Sequence, residues 1–227
     1  MPARGSIPYL NNKDFWQHRW NGSLQFDTAC QNNNNIQDGI GDYTYRTFTY
    51  LAGDWTGDRA AIDKLHEWNE GKKWGLSFKD IHSETQSSDN SHNCSIKASL
   101  RKRMKLCKKF VIVVGSDTDG LKSGACYTCF WYKKPDMYSL MPGCYLNNHV
   151  DNRSYVQYEC EMAKHDYDND DMDVVVLYNS VNVNRNLCPE PLRWIGNHAP
   201  MKKKVTDYWG NSHIQWDYES VKKAMEA

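Results

Sequence analysis

The chain has 227 residues, and 28 Lys and Arg balance 28 Asp and Glu, so the formal net charge is zero. This length suits one large domain or one domain with appendages, and the charge balance gives no global attraction to nucleic acid or to membrane lipid. The mean hydropathy is -0.81 while 13% of the residues are aromatic. That combination is typical of a folded protein with long, aromatic-packed loops rather than of a disordered one.

The longest apolar runs, at 110–114 and 174–178, are far too short to cross a bilayer. Polar and charged residues interrupt every candidate apolar stretch within residues 1–30, so the sequence indicates no secretory signal. We therefore expect a cytoplasmic protein that has neither a membrane nor a nucleic acid as its partner.

Residues 1–43 are polar, and an Asn run followed by a Gly-Asp turn marks their end. Several Trp and Phe residues lie among them, which suggests packing onto a larger body. We predict an N-terminal extension at 1–43, packed on one α/β domain at 44–227.

The first half of that domain begins with a β-rich alternating pattern at 43–51, which predicts the first strand. A helix is expected from about Asp58, and a short second strand near 75–81. Residues 82–92 are rich in Ser, Asn and Asp and predict a long loop of the kind that often carries function. Ser91 is the expected N-cap of the next helix, whose apolar face should hold Ile96, Leu100, Met104 and Cys107.

A basic run, Arg101-Lys-Arg103, lies on this second helix, with further lysines just past its end. The run is either a patch for nucleic acid or a solvated face whose cations lie near the helix C-terminus. The second interpretation is favoured, because cations are stabilised at that end of the helix dipole.

The second half of the domain alternates strand and helix. The predicted elements are a buried strand at 110–114, an insert at about 117–153, a helix from Tyr155 to about His165, a buried strand at 174–178, a hairpin around 209–211 and a last helix at 218–225. Apolar strands that alternate with helices are typical of a doubly wound, mainly parallel sheet. We therefore predict an α/β fold with helices on both faces of the sheet.

Two clusters invite a metal interpretation. Cys126-Tyr-Thr-Cys129 has ligand-like spacing, and with Cys144 and His149 it would complete a structural zinc site, although a single CxxC is weak evidence. The acidic residues between Asp166 and Asp173 lack the glycine and the final glutamate of an EF-hand loop, so they predict a solvated turn.

Five motifs follow one another in an order that carries a family resemblance. They are Arg46-Thr-Phe-Thr-Tyr50, Phe78-Lys-Asp80, the basic helix, Phe110-Val-Ile-Val-Val-Gly-Ser116 and Tyr155-Val-Gln-Tyr-Glu159. This order resembles the TIR-like domains of bacterial Thoeris anti-phage defence, which have a flavodoxin-like fold. The resemblance covers roughly residues 44–116 and 153–225, and the N-terminal extension and the insert depart from it.

The resemblance implies a catalytic carboxylate for cleaving the nicotinamide–ribose bond of NAD. By the family pattern Glu159 takes that role and Tyr155 takes the aromatic position before it. Glu161 lies about 200° further round the helix, so the two glutamates cannot serve one pocket equally. The structural alternative to this catalytic role is that Glu159 is a carboxylate on the surface of the helix.

Further candidates for binding NAD lie at the ends of predicted strands or in the loops that follow them. They are Phe48, Asp54, Asp80, His82 and Ser116. Each has a structural alternative: core packing for Phe48, a turn or cap for the two aspartates and Ser116, and solvent exposure for His82.

The chemistry of NAD cleavage fits a single carboxylate. Nicotinamide leaves as a neutral molecule, so it needs no proton, while a carboxylate beside the ribose stabilises the positive charge at the sugar. The resemblance implies NAD as substrate, no bound cofactor, a cyclic or conjugated ADP-ribose signal, a downstream effector that senses it, a phage-derived trigger and a homo-oligomer. The alternatives are a TIR-like interaction module without turnover and a flavin- or nucleotide-binding switch.

Overall fold

The computed structural model describes residues 46, 48–71, 76–81, 92–130, 132–134, 143–144 and 150–227. The predicted extension at 1–43, His82 and Ser91 lie outside the described residues. In chain order the helices and strands are β1 (Phe48–Ala52), α1 (Arg59–Glu70), α2 (Asn93–Met104), β2 (Cys107–Val114), β3 (Tyr132–Lys133), β4 (Gly143–Cys144), α3 (Tyr155–Asp168), β5 (Asp173–Tyr178), β6 (Asn197–Pro200), β7 (Lys202–Thr206), β8 (Ser212–Trp216) and α4 (Tyr218–Glu226).

The central sheet has the strand order β1-β2-β5-β6, and each neighbouring pair is parallel. The segment 76–81 extends the sheet at its β1 edge through a single parallel bridge between Thr49 and Asp80, where the Thr49 N–H donates to the Lys79 carbonyl at 2.8 Å. With that segment counted as the second strand along the chain, the order is 2-1-3-4-5. This is the flavodoxin-like order of a doubly wound sheet.

One face of the sheet packs against α1 and α4. Alternate residues of the strands, such as Leu51, Val111 and Val175, join the buried side chains of the two helices in one apolar core. Trp68 of α1 meets the ring of Tyr218 edge-on, with the ring centroids 5.5 Å apart.

The opposite face carries Tyr50, Phe110 and Val174, which pair across β1, β2 and β5. Helix α3 covers this face and also packs against α2. The predicted α/β fold, with helices on both faces of a mainly parallel sheet, is therefore confirmed.

Four elements differ in detail from the sequence prediction. The second strand is reduced to the single bridge at Asp80, because Thr49 is its one pairing partner among the described residues. Cys107 opens β2 instead of closing the helix before it, since Met104 ends that helix and Cys107 pairs with Phe48. Strand β6 was not predicted. It is held extended by its pairing with β5, and not by any preference of its own Asn-His-Ala-Pro sequence. The N-cap of α2 is His92.

Other predicted elements are present as expected. Helix α1 begins directly after Asp58, the hairpin of β7 and β8 closes through Trp209 and Gly210, and α4 spans the predicted final helix. In the part of the chain that the structure describes, no helix is both long and apolar enough to span a membrane.

Helix α3 begins with a capping box that fixes its first turn. The Ser154 hydroxyl accepts from the Gln157 N–H at 3.1 Å, and the Gln157 side-chain oxygen accepts from the Ser154 N–H at 3.0 Å. These bonds satisfy backbone donors that a helix start otherwise leaves unpaired. The helix therefore starts at a defined residue, which determines that Glu159 turns toward the sheet.

The last residues of the insert are held to α2 by Lys97, which is only 5% exposed. Its ammonium group donates to the Arg153 carbonyl at 2.7 Å and lies 3.4 Å from the Asp151 carboxylate. Arg153 donates twice to the same carboxylate, through Nε at 2.8 Å and Nη2 at 2.6 Å. This cluster of Lys97, Asp151 and Arg153 joins the insert, α2 and the start of α3.

The Asp151 carboxyl gives this cluster a pH dependence. Burial raises its pKa, but the hydrogen bond from Arg153 and the charges of Arg153 and Lys97 outweigh burial and lower the pKa to about 2, from an ordinary 3.8. The folded state therefore binds this proton less well than the unfolded state. The resulting stabilisation is present above pH 3.8 and is lost as the pH falls through about 2.

We expect Asp151→Asn to lower the free energy of unfolding by about 3 kcal/mol at pH 7, because it removes the carboxylate that pairs with the buried Lys97 and the half-buried Arg153. The difference in the free energy of unfolding between the variant and wild type should be about 1 kcal/mol smaller at pH 3, because the wild-type Asp151 carboxylate then stabilises the fold less. Urea unfolding followed by Trp fluorescence at both pH values measures this. A difference in unfolding free energy that is the same at pH 7 and pH 3 would contradict the lowered pKa of Asp151.

Candidate active site

The side chain of Glu159 lies between α3 and the sheet, one turn into the helix. It is 7% exposed. The Tyr50 hydroxyl of β1, 109 residues earlier in the chain, donates to Glu159 Oε1 at 2.6 Å. The carboxylate is therefore neither on the surface nor unpaired, so the interpretation of Glu159 as a surface helix residue is wrong.

Tyr50 is fully buried, and its position is fixed from two sides. Its ring stacks on Phe110 of the neighbouring strand, with centroids 5.6 Å apart and an angle of 20° between the rings. The backbone of β1 around it pairs with β2. Burial raises the pKa of the Tyr50 hydroxyl well above its ordinary value of 10, and the charge and hydrogen bond of Glu159 raise it further. The hydroxyl consequently keeps its proton and remains a donor at neutral pH.

The second glutamate of the helix points elsewhere. Glu161 accepts a hydrogen bond from Arg153 Nη1 and is about one-third exposed. The structure thus separates the two carboxylates, as the helical spacing predicts.

A second polar cluster lies where β1, β2 and β5 end. Asp58, at the start of α1, is 4% exposed and accepts from the Asn179 amide at 2.7 Å. The Thr118 hydroxyl lies 3.5 Å from the other Asp58 oxygen and accepts from the Gly115 N–H at 2.8 Å. Burial raises the pKa of Asp58 above its ordinary value, against the hydrogen bond from Asn179. The cluster links the loops at the rim where flavodoxin-like sheets bind ligands.

Sequence reasoning missed this cluster, since Asp58 was expected only to begin a helix. The feature of the sequence that could have indicated the cluster is Gly115. A Cβ atom there would lie 2.3 Å from both Asp58 carboxyl oxygens, so only glycine leaves room for that carboxylate.

Two of the predicted site residues lie on this same rim. The Asp54 carboxylate, after β1, accepts from the Thr56 N–H at 2.9 Å, and the Asp54 carbonyl accepts from the Asp58 N–H. Ser116, after β2, is exposed and donates to Asp117 at 3.0 Å. Both positions follow strands that flank the switch point of the sheet. The Asp54 side chain also makes the local turn contact of its structural alternative, whereas Ser116 bonds to the next side chain and caps no helix.

Phe48 and Asp80 lie toward the other end of β1. The Lys79 ammonium group is 4.3 Å from the centroid of the Phe48 ring, and the Asp80 carboxylate lies 3.6 Å from His66 Nε2 of α1. Phe48 and Ala52 are four steps apart along the strand, or about 13 Å at 3.3 Å per step. The structure therefore does not bring this pair together with Asp54 and Ser116. His82 is outside the described residues.

Tyr155 opens α3 and faces α2 and the insert. Its hydroxyl donates to Asn93 Oδ1 at 2.9 Å, and Gly124 passes so close that a Cβ there would lie 2.5 Å from the ring. Burial raises the pKa of Tyr155 to about 12. The ring holds the insert against the helix that carries Glu159.

No three His, Cys, Asp or Glu side chains come together as a metal site in the described ranges. Cys126 accepts from the Asp151 N–H at 3.1 Å, and burial raises the pKa of its thiol. Cys129 and Cys144 are free thiols, and the fourth candidate, His149, lies outside the described residues.

The strand order defines a flavodoxin-like α/β domain. Residues 45–123 match the family model described as Thoeris protein ThsB, TIR-like domain. This match confirms the family resemblance over residues 45–123. The matched segment is less than half of the chain and ends within the insert, so Glu159 lies outside it. No curated protein matches the chain.

The contacts of Asp58 at the rim of the sheet can be tested by a substitution at Gly115. We expect Gly115→Ala to lower the free energy of unfolding by about 1–3 kcal/mol, because the added methyl group displaces a carboxylate that Asn179 holds in place. Gly120→Ala is the matched control, since nothing lies within 4 Å of a Cβ at that position. Equal stability of the two variants in urea unfolding would show that the Asp58 contact is not formed.

Proposed function

We propose that the protein is an anti-phage defence enzyme that cleaves the nicotinamide–ribose bond of NAD, with Glu159 as its catalytic carboxylate. The observation that carries the proposal is the buried hydrogen bond between Glu159 and Tyr50. Most glutamates lie in water, and a buried carboxylate held by a specific donor is the kind of group that active sites use. The TIR-like fold supports the same assignment by analogy.

The reaction is a glycosyl transfer. The bond between ribose C1′ and the pyridinium nitrogen breaks, and its electron pair leaves with nicotinamide, which becomes neutral. The Glu159 carboxylate stabilises the positive charge that develops at the ribose, and its effect is larger in a site that excludes water. If water then attacks C1′ and releases a proton, the product is ADP-ribose.

If a hydroxyl or ring nitrogen attacks in place of water, the product is a cyclic or conjugated ADP-ribose. Such a molecule diffuses and carries a signal to a partner effector, which is the role proposed here for the product. We place the reaction in the cytoplasm, with NAD as substrate and no bound cofactor.

The low exposure of Glu159 supports an enzyme that is silent at rest. NAD cannot reach a carboxylate that is 7% exposed unless the elements around it move apart. We propose that a phage-derived trigger, acting on a homo-oligomer, opens this face. Constant NAD cleavage would harm the cell, so a closed resting state suits the function.

A TIR-like interaction module without turnover is the alternative function. The same burial favours it, because a carboxylate held in the interior by a tyrosine also stabilises the packing of a helix on a sheet. The two functions differ in whether Glu159 is needed for chemistry or for packing alone.

NAD and its products, measured by mass spectrometry in bacteria with and without phage, separate the two functions. We expect a new ADP-ribose-type species with wild type under infection and a loss of at least about 100-fold in Glu159→Gln, which keeps the size of the side chain but removes its charge. Glu161→Gln, a similar change two residues away, should retain the product. An unchanged product in Glu159→Gln, or none with wild type, would contradict the proposal.

A further inference from the structure

We propose that Tyr50 is a positioning residue for Glu159, whose hydroxyl fixes the direction of the carboxylate toward the substrate. This inference rests on the proposed function of Glu159. The hydroxyl donates to Oε1 at 2.6 Å, a short distance typical of an O–H donor to a charged oxygen. A bond to one oxygen of a planar group determines where the other oxygen points.

Tyr50 acts through Glu159 and does not touch substrate. Its side chain is fully buried, so no part of it is available to NAD. The ring is stacked on Phe110, and β1 is paired along its length with β2. Groups that stabilise a transition state work best when they are held in place before the reaction begins, and a strand holds its side chains more rigidly than a loop.

The competing role for the same contact is a latch, that is, a hydrogen bond that restrains Glu159 at rest and breaks when the enzyme is activated. A latch must leave when the enzyme is activated, and it therefore belongs on an element that can move. Tyr50 lies in the middle of a strand, with its ring packed on the adjacent strand, so its hydroxyl cannot withdraw without breaking the sheet. The geometry favours a permanent support over a latch, and the two roles predict opposite effects of removing the hydroxyl.

Tyr50→Phe tests the inference, because it removes the hydroxyl and keeps the ring that stacks on Phe110. NAD cleavage is measured in clarified lysates of phage-infected cells with equal amounts of each variant, over a range of NAD concentration and pH. We expect kcat to fall at least about ten-fold with KM unchanged, since a hydrogen bond to a charged group is lost while NAD contacts remain. The acid limb of the activity should move to higher pH, because the carboxylate loses a donor that favours its charged form.

Tyr178→Phe is the matched control. Tyr178 is also a buried tyrosine on the same face of the sheet, but its hydroxyl pairs with His198 Nδ1 at 2.9 Å. A merely structural role for Tyr50 would lower the amount of folded protein in both variants and leave KM, kcat per folded molecule and the pH profile unchanged.

Each outcome decides one point. Wild-type kcat and pH profile in Tyr50→Phe, with Glu159→Gln inactive, overturn the inference and leave the proposed function standing. Raised activity in Tyr50→Phe also overturns it, in favour of a latch. NAD cleavage that survives Glu159→Gln, or that is absent from wild type, overturns the proposed function and the inference together. In that case coupling between the two substitutions in urea unfolding would identify a structural contact.

Discussion

The hydrogen bond between Tyr50 and Glu159 is the interaction on which the account of this protein depends. A carboxylate removed from water is costly unless donors replace its hydration, and here the donor comes from strand β1 of the main sheet. The pairing requires that β1 is seated beside β2 and that α3 starts at a defined residue. The Ser154 capping box supplies the second condition, and the stack of Tyr50 on Phe110 supplies the first.

The same face is supported from the side of the insert. Lys97, Asp151 and Arg153 tie the end of the insert to α2 just before α3 begins, and Tyr155 adds a hydrogen bond to Asn93. These contacts join α2 to the end of the insert and the start of α3, 54 to 62 residues later in the chain. A movement that exposes Glu159 and keeps its bond to Tyr50 has to disturb these contacts between the insert, α2 and α3. They therefore connect the burial of the carboxylate to the proposed silence of the resting enzyme.

Local pattern was enough to predict the fold class, the buried strands β2 and β5, and the helices, since each follows from periodicity and turn residues along a short segment. It was not enough for Tyr50, whose partner is 109 residues away, or for Asp58, whose carboxylate is held by Asn179, 121 residues later and just after β5. Strand β6 was missed for the same reason, because its sequence is ordinary and its pairing is not local. The position of Glu159 on its helix was predicted, while its burial was not.

The most direct measurement is the rate of nicotinamide release in phage-infected cells that carry wild type or Glu159→Asp. Aspartate keeps the negative charge but is one methylene shorter, so it cannot reach both the Tyr50 hydroxyl and the position that Glu159 occupies. The account predicts rapid release with wild type and nearly none with Glu159→Asp, at equal amounts of folded protein. Equal release by the two proteins, or none by wild type, would contradict the central claim that a carboxylate held by Tyr50 makes this protein an NAD-cleaving enzyme.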